Sequence, residues 1–199
     1  PGEFTRIRQV RVMEFHWALV AFAGVLVFGT LKGIIVAIII SLLGLSSQAS
    51  HPRVYVIGRK RGTDVLRPVS PEHPDDETFD GLLILRPEGR LFFANAQEVA
   101  DQINALAEQH QPRVMAWDMS RVFDIEYSAL EMLIAGERRA TDNGVRFWLA
   151  GLNPGVLKVV RSSGFADKLG RERMLVNARA VIQQYLDEQA TRPSTPTDT

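Results

Sequence analysis

A long apolar run near the start of the chain constrains the fold more than any other feature. From Trp17 to Leu45 nearly every residue is apolar, glycine or small, and the exceptions are Thr30, Lys32 and Ser41. A single helix over this run would be about 43 Å long at ~1.5 Å per residue, which exceeds the ~30 Å hydrocarbon core of a bilayer. The run therefore predicts insertion into a membrane, but not as one straight span.

The centre of the run favours two helices joined by a turn. Glycine weakens a helix, and a lone ammonium group in lipid is costly unless it is paired or hydrated. We therefore predict helices at about Phe15–Phe28 and Leu31–Leu45, with Gly29, Lys32 and Gly33 in the turn between them. Basic residues flank the run on both sides, so a hairpin keeps both flanks in one compartment. These residues are Arg6, Arg8 and Arg11 before the run and Arg53, Arg59, Lys60 and Arg61 after it.

Two half-length helices cannot stand alone in lipid, because the polar backbone of their turn would lack partners. The hairpin thus predicts further membrane helices, and the opening Pro1-Gly2-Glu3-Phe4 leads us to infer a fragment of a longer chain. A secretory signal peptide is one alternative, but its apolar core would be shorter and Ala49-Ser50-His51 is a poor cleavage site. A buried hairpin of a soluble protein is the other. We favour the membrane interpretation.

The segment from Ser46 to Asp80 is polar and contains four prolines. This composition predicts a connection with at most one short strand, at Arg53–Ile57 or Val65–Val69. The acidic run Glu72–Glu77 is interpreted as solvated connecting sequence rather than a cation site, because nothing rigid spaces its carboxylates.

From Gly81 the hydrophobic pattern is that of an α/β domain. Four short apolar runs predict strands, the first two as arms of a hairpin: Leu82–Leu85, Leu91–Ala94, Arg113–Trp117 and Val145–Ala150. Apolar residues at helical spacing predict one helix that ends near His110 and another that ends at Asn143-Gly144. Two later helices begin after the capping residues Asn153 and Asn177. We predict an α/β sandwich with a small mixed β-sheet flanked by helices, preceded by the transmembrane hairpin.

Polar residues at the strand ends of such a sheet line the crevice where ligands or partners usually bind. The candidate regulatory or interaction residues all lie between the third strand and the start of the following helix: Asp118, Ser120, Asp124, Glu126 and Ser128. Asp118 and Asp124 could be read as a catalytic pair. Acids in such positions more often cap the next helix and fix the loop.

Other chemistry argues against an enzyme. The chain has no cysteine, which excludes disulfides, thiolate zinc sites and cysteine nucleophiles. Its 23 basic and 23 acidic residues give no net charge that would recruit nucleic acid. There is no phosphate-binding glycine loop, G-x-S-x-G or H-E-x-x-H motif, and the four histidines are scattered. We predict no catalytic residue, metal site, cofactor or nucleic-acid partner.

Several stretches occur together in a recognisable order. They are Leu91-Phe92-Phe93-Ala94-Asn95-Ala96, D-M-S from Asp118, D-I-E-Y-S-A-L from Asp124 and L-A-G-L-N-P from Leu149. With them, residues 80–189 resemble a STAS domain, the fold shared by anti-sigma-factor antagonists and the C-terminal tails of SulP anion transporters. Upstream, R-V-M-E-F, the glycine-broken hairpin, Gly58-Arg59 and Gly62-Thr63-Asp64 resemble the end of a SulP membrane domain.

The resemblance implies the C-terminal part of a secondary transporter of inorganic anions such as sulfate or bicarbonate. Residues 1–46 would end its membrane domain, 47–79 would be a linker and 80–189 the cytoplasmic STAS domain. The composition of residues 190–199, rich in Thr, Pro, Ser and Asp, separately predicts a disordered tail. The whole protein would be a multi-pass protein of the cell (inner) membrane. Its implied partners are membrane lipid, the missing transporter helices, a second copy in a homodimer and a cytoplasmic protein at the STAS domain. The STAS domain itself would gate transport or stabilise the dimer.

The alternative is a membrane-tethered signalling module of the anti-sigma-antagonist kind. In that family a Ser or Thr in D-S-S/T-G-L is phosphorylated, and Ser128 occupies the matching position. A phosphate there would meet free N–H groups and the positive end of the helix dipole. Glu126, Tyr127 and Ala129 depart from the family pattern, and Glu126 would repel a phosphate. A hydroxyl that caps or packs the helix is the other interpretation of Ser128.

Overall fold

The computed structural model describes residues 30–50 and 52–191, which fall in two compact units divided after Ser50. The first unit contains one described helix, α1 (Thr30–Ser50). Lys32 and Gly33 lie in its first turn, so their predicted place in a bend is wrong. One glycine costs a helix only about 1 kcal/mol relative to alanine, and the aliphatic residues that follow are helical; the helix also extends past the predicted end at Leu45.

No helix within residues 30–50 and 52–191 is both long and apolar enough to cross a bilayer. Gly29 and the predicted helix Phe15–Phe28 lie outside the described residues. The transmembrane hairpin therefore stays a prediction.

The second unit is built on a six-stranded mixed sheet. From one edge to the other its strands are β2 (Leu66–Pro68), β1 (Val54–Arg59), β3 (Leu82–Pro87), β5 (Val114–Asp118), β7 (Arg146–Ala150) and β8 (Met174–Leu175). The strands β3, β5, β7 and β8 run parallel to one another, whereas β1 is antiparallel to both β2 and β3.

The expectation of at most one strand before Asp80 is wrong, because both candidate segments form strands and pair with each other. Ile57 of β1 is buried, and Val54 and Val56 pack against the main core, so the segment contributes apolar surface despite its polar flanks. Pro68 is accommodated because β2 lies at the edge of the sheet, where a missing N–H is tolerated.

The predicted hairpin arm Leu91–Ala94 is also wrong. The strand β4 (Gly89–Leu91) pairs in parallel with β6 (Val122–Ile125) in a separate two-stranded sheet. Gly89 has φ +97°, a conformation that favours glycine and turns the chain away from β3. After Leu91 the chain forms a turn in which the N–H of Ala96 donates to the carbonyl of Phe92 at 2.9 Å.

Helices cover both faces of the main sheet, which confirms the predicted α/β sandwich. They are α2 (Ala96–His110), α3 (Tyr127–Asp142), α4 (Pro154–Ser162), α5 (Phe165–Leu169) and α6 (Ala178–Thr191). Two predicted caps are confirmed, since the side chains of Asn153 and Asn177 each accept a backbone N–H at 3.0 Å. Gly144, with φ +73°, follows the end of α3.

Alternate residues of the central strands enter two separate cores, as the two-residue period of a strand requires. Leu83 and Leu85 join Trp117 in the core beneath α2 and α3, whereas Leu82 and Ile84 face α6. The Trp117 ring lies against Gly136 of α3, where an added Cβ would approach two ring carbons to 2.9 Å. Both cores lie within the second unit, so we expect residues 52–190 to fold on their own.

Candidate functional site

Asp118 ends β5 at the carboxyl edge of the parallel strands and is 1% exposed. Arg86 of β3, whose side chain is 12% exposed, donates from Nε to Asp118 Oδ2 at 2.8 Å, and its Nη2 lies 2.7 Å from the same oxygen in an ion pair. The other carboxylate oxygen accepts the backbone N–H of Ser120 at 3.1 Å. Both oxygens of Asp118 are thus engaged, and they fix the 3-10 turn Met119–Arg121 that follows β5.

Gly151 follows β7 and completes this cluster of strand ends. Its φ is +69°, and a Cβ at this position would lie 2.7 Å from Asp118 Oδ1 and 3.1 Å from Ser120. A side chain is therefore excluded on both conformational and steric grounds. Neither Arg86 nor Gly151 was identified from the sequence, although a glycine directly after a buried strand is a usable signal of close backbone approach.

Asp124 and Glu126 share one guanidinium group. Arg90 of β4 donates from Nε to Asp124 Oδ2 at 2.8 Å and from Nη2 to Glu126 Oε1 at 2.7 Å. These side chains are between a third and a half exposed, so the ion pairs contribute little to stability. Asp118 and Asp124 pair with different arginines, an arrangement that suits loop-fixing acids better than a catalytic pair.

Three aromatic side chains that lie within three residues of these ion-paired groups along the chain face solvent: Phe93 (75% exposed), Phe123 (67%) and Tyr127 (74%). The β4–β6 register skips Phe123, because Gly89 pairs with Val122 and Arg90 with Asp124. This irregularity leaves both Phe123 and Asp124 unburied, as a β-bulge does. We call the solvent-exposed and half-buried residues of these neighbouring segments the aromatic–acidic patch: Arg90, Phe93, Phe123, Asp124, Glu126 and Tyr127.

Phe92 and Glu131 extend the contacts of the patch. The rings of Phe92 and Phe93 meet edge to face at 5.6 Å, and the Arg90 guanidinium lies 5.7 Å from the Phe92 ring centroid. A hydrogen bond to Glu131 raises the pKa of the Tyr127 hydroxyl above its ordinary value. Sequence reasoning named none of the patch aromatics as a candidate site residue, because apolar residues beside a strand usually indicate core.

Ser128 lies in the first turn of α3 but does not face the patch surface. Its hydroxyl is buried and has no hydrogen-bond partner among the described residues. This inward position of the hydroxyl does not favour the signalling alternative, in which a kinase must reach the oxygen. Of the predicted residues, the structure brings Asp118 together with Ser120, and Asp124 together with Glu126, and it turns the Ser128 hydroxyl inward.

We expect Ser128→Ala to leave the second unit as stable as the parent, or more stable by about 1 kcal/mol, because it removes an unpaired buried hydroxyl. Ser128→Asp should instead destabilise it, since a carboxylate would replace that hydroxyl in a buried position. Urea unfolding of residues 52–190, followed by circular dichroism, measures both effects. A loss of more than ~1 kcal/mol in Ser128→Ala would show that the hydroxyl has a partner, such as an ordered water.

Within residues 30–50 and 52–191, no group of three or more His, Asp or Glu side chains is arranged to hold a metal ion.

Residues 73–183 match the STAS domain family, and this match covers more than half of the chain. The chain therefore belongs to the STAS domain family. Among curated proteins it is similar to Sulfate transporter 3.2 of Arabidopsis thaliana, with 28% identity over 197 residues. That alignment covers 92% of this chain and 30% of the relative. The chain thus spans about a third of the length of the sulfate transporters it matches.

Two solved structures show the same fold. The murine Solute Carrier 26 family member A9 anion transporter matches with a TM-score of 0.76 and 18% identity, over 92% of this chain and 30% of that one. The SulP transporter STAS domain from Vibrio cholerae matches with a TM-score of 0.51 and 16% identity, over 61% of this chain and 93% of that one.

Proposed function

We propose that this chain is the C-terminal part of a SulP-type secondary transporter of inorganic anions. In this proposal its STAS domain is a cytoplasmic module that regulates transport and stabilises a homodimer. The observation that carries the proposal is the extent of the similarity to sulfate transporters. It covers 92% of the chain, and so includes the apolar segment as well as the STAS domain.

The described part of the apolar segment supports a membrane setting. Six large aliphatic side chains of α1 are at least 48% exposed within residues 30–50 and 52–191: Leu31, Ile34, Ile35, Ile38, Ile39 and Leu42. Their helical spacing places these side chains on one face of α1, and an exposed apolar face of this size needs apolar surroundings. Lipid and the other transporter helices would supply them in a multi-pass protein of the cell (inner) membrane, with the basic flanks of the apolar run cytoplasmic.

The strand-end residues support an interaction role rather than catalysis. Asp118 is committed to Arg86, and Asp124 and Glu126 to Arg90, so these three carboxylates already serve as ion-pair partners. We assign Asp118 and Ser120 to holding the loop before α3, and Asp124 and Glu126 to the surface that a cytoplasmic partner would contact.

An uptake experiment on the natural reading frame tests this proposal. We expect the sequence upstream of Pro1 to encode further membrane helices, and the complete protein in proteoliposomes to take up labelled sulfate or bicarbonate. Deleting residues 80–189 should reduce uptake and weaken dimer crosslinking. The matched control is a deletion after Thr191, which leaves every described element intact. A start codon directly before Pro1, preceded by a stop codon, would contradict the proposal.

A further inference from the structure

We propose that the aromatic–acidic patch docks a basic peptide segment in which arginine or lysine side chains lie beside aliphatic ones. This inference rests on the interaction role proposed above for the STAS domain and names the chemistry of the partner. It is carried by the exposure of the aromatic residues, by the rigidity of their backbone and by the sign of the local charge.

Exposure separates the three patch aromatics from the rest of the domain. Trp117, Phe147 and Trp148 are almost fully buried, whereas Phe93, Phe123 and Tyr127 are all at least 67% exposed. Large aromatic side chains exposed to water favour contact with another molecule, and aromatic residues are enriched at protein interfaces. The patch therefore has the composition of a docking surface.

The backbone beneath the patch is held by internal hydrogen bonds. Asn95 is fully buried, and its side chain accepts from the N–H of Phe92 at 2.9 Å and donates to the carbonyl of Arg90 at 2.8 Å. The N–H of Glu126 donates to the carbonyl of Leu91 at 2.9 Å, which ties the start of α3 to the end of β4. A surface held in this way loses little conformational freedom when a partner binds.

Charge decides which partner fits. Asp124 and Glu126 share Arg90, and Glu131 is hydrogen-bonded to Tyr127, so the patch and its contacts bring together three carboxylates and one guanidinium group. This excess of negative charge attracts lysine and arginine, whose cations also interact favourably with exposed aromatic rings. The same charge repels lipid and nucleic-acid phosphates. A basic peptide is therefore favoured over an anionic membrane surface.

The test is a binding titration on the full chain in mild detergent. The probe is a short fluorescein-labelled peptide of alternating leucine and arginine, and the readout is fluorescence anisotropy. We expect saturable binding that weakens as salt rises. The combined change Asp124→Asn and Glu126→Gln should weaken binding about tenfold, and Phe123→Ser should have a comparable effect.

Control variants and probes make the result decisive. Glu172→Gln removes a carboxylate and Val176→Ser an exposed apolar side chain far along the sequence from the patch, and both should bind like the parent. Circular dichroism checks that each variant is folded. The proposal is overturned if a leucine–glutamate peptide binds equally well or if the patch variants bind like the parent. It is also overturned if phosphatidylglycerol in mixed detergent micelles competes for the patch, or if patch variants change only the oligomeric state.

This experiment fails separately from the test of the proposed function. If the peptide does not bind, the expected uptake of sulfate or bicarbonate by the complete protein still stands, and only the docking proposal is overturned. Normal peptide binding without uptake would contradict the transporter proposal alone.

Discussion

Leu133→Asp is expected to unfold the second unit at room temperature. Leu133 of α3 is fully buried in the core beneath that helix. An unpaired carboxylate there costs several kcal/mol, a large part of the roughly 5–15 kcal/mol by which a domain of this size is stable. Circular dichroism and urea unfolding of residues 52–190 measure the loss.

The matched control for Leu133→Asp is the same substitution at Leu186 of α6, which is 38% exposed. That variant should keep a cooperative unfolding transition, because its carboxylate can reach water. A Leu133→Asp protein that unfolds cooperatively within ~1 kcal/mol of the parent would contradict the packing of α3 against the sheet.

The second large effect is expected for Asp118→Ala, which should destabilise residues 52–190 by about 3–5 kcal/mol. It leaves the guanidinium of Arg86 nearly buried and without its carboxylate, and it removes the acceptor for the Ser120 N–H. The more exposed pair Arg90–Asp124 is the control, and Asp124→Ala should cost no more than about 1 kcal/mol.

A double variant tests whether the charge on Arg86 is the cause. Arg86→Leu combined with Asp118→Leu should recover part of the stability lost in Asp118→Ala, because no buried charge is left without a partner. Urea midpoints of the three variants give the comparison. Equal losses in Asp118→Ala and Asp124→Ala would show that burial does not set the strength of these pairs.

Much of the second unit follows from local patterns in the sequence. The strands Leu82–Pro87, Val114–Asp118 and Arg146–Ala150 are recognisable because both of their faces are apolar. Asn153 and Asn177 mark helix starts by the chemistry of a single side chain. Such features depend on few neighbours, and sequence alone can reveal them.

Long-range pairing was not predictable in the same way. Arg86 and Arg90 lie more than thirty residues from the acids they bind, and nothing in their local sequence distinguishes them from solvated arginines. The strands β2 and β4 are each three residues long, so their periodicity is too short to detect. Lys32 and Gly33 were assigned to a bend on local helix propensity, which the aliphatic run after them overrides.

The two-sided burial of the central strands bears on how faithfully the sheet assembles. A shift of β5 by one residue would exchange the side chains of its two faces without exposing apolar surface, so the hydrophobic pattern alone specifies the register of β5 only weakly. The sizes of the side chains specify the register instead. The Trp117 ring occupies the space that Gly136 of α3 leaves free, so a shifted β5 would have to place this large ring against a position that carries a side chain.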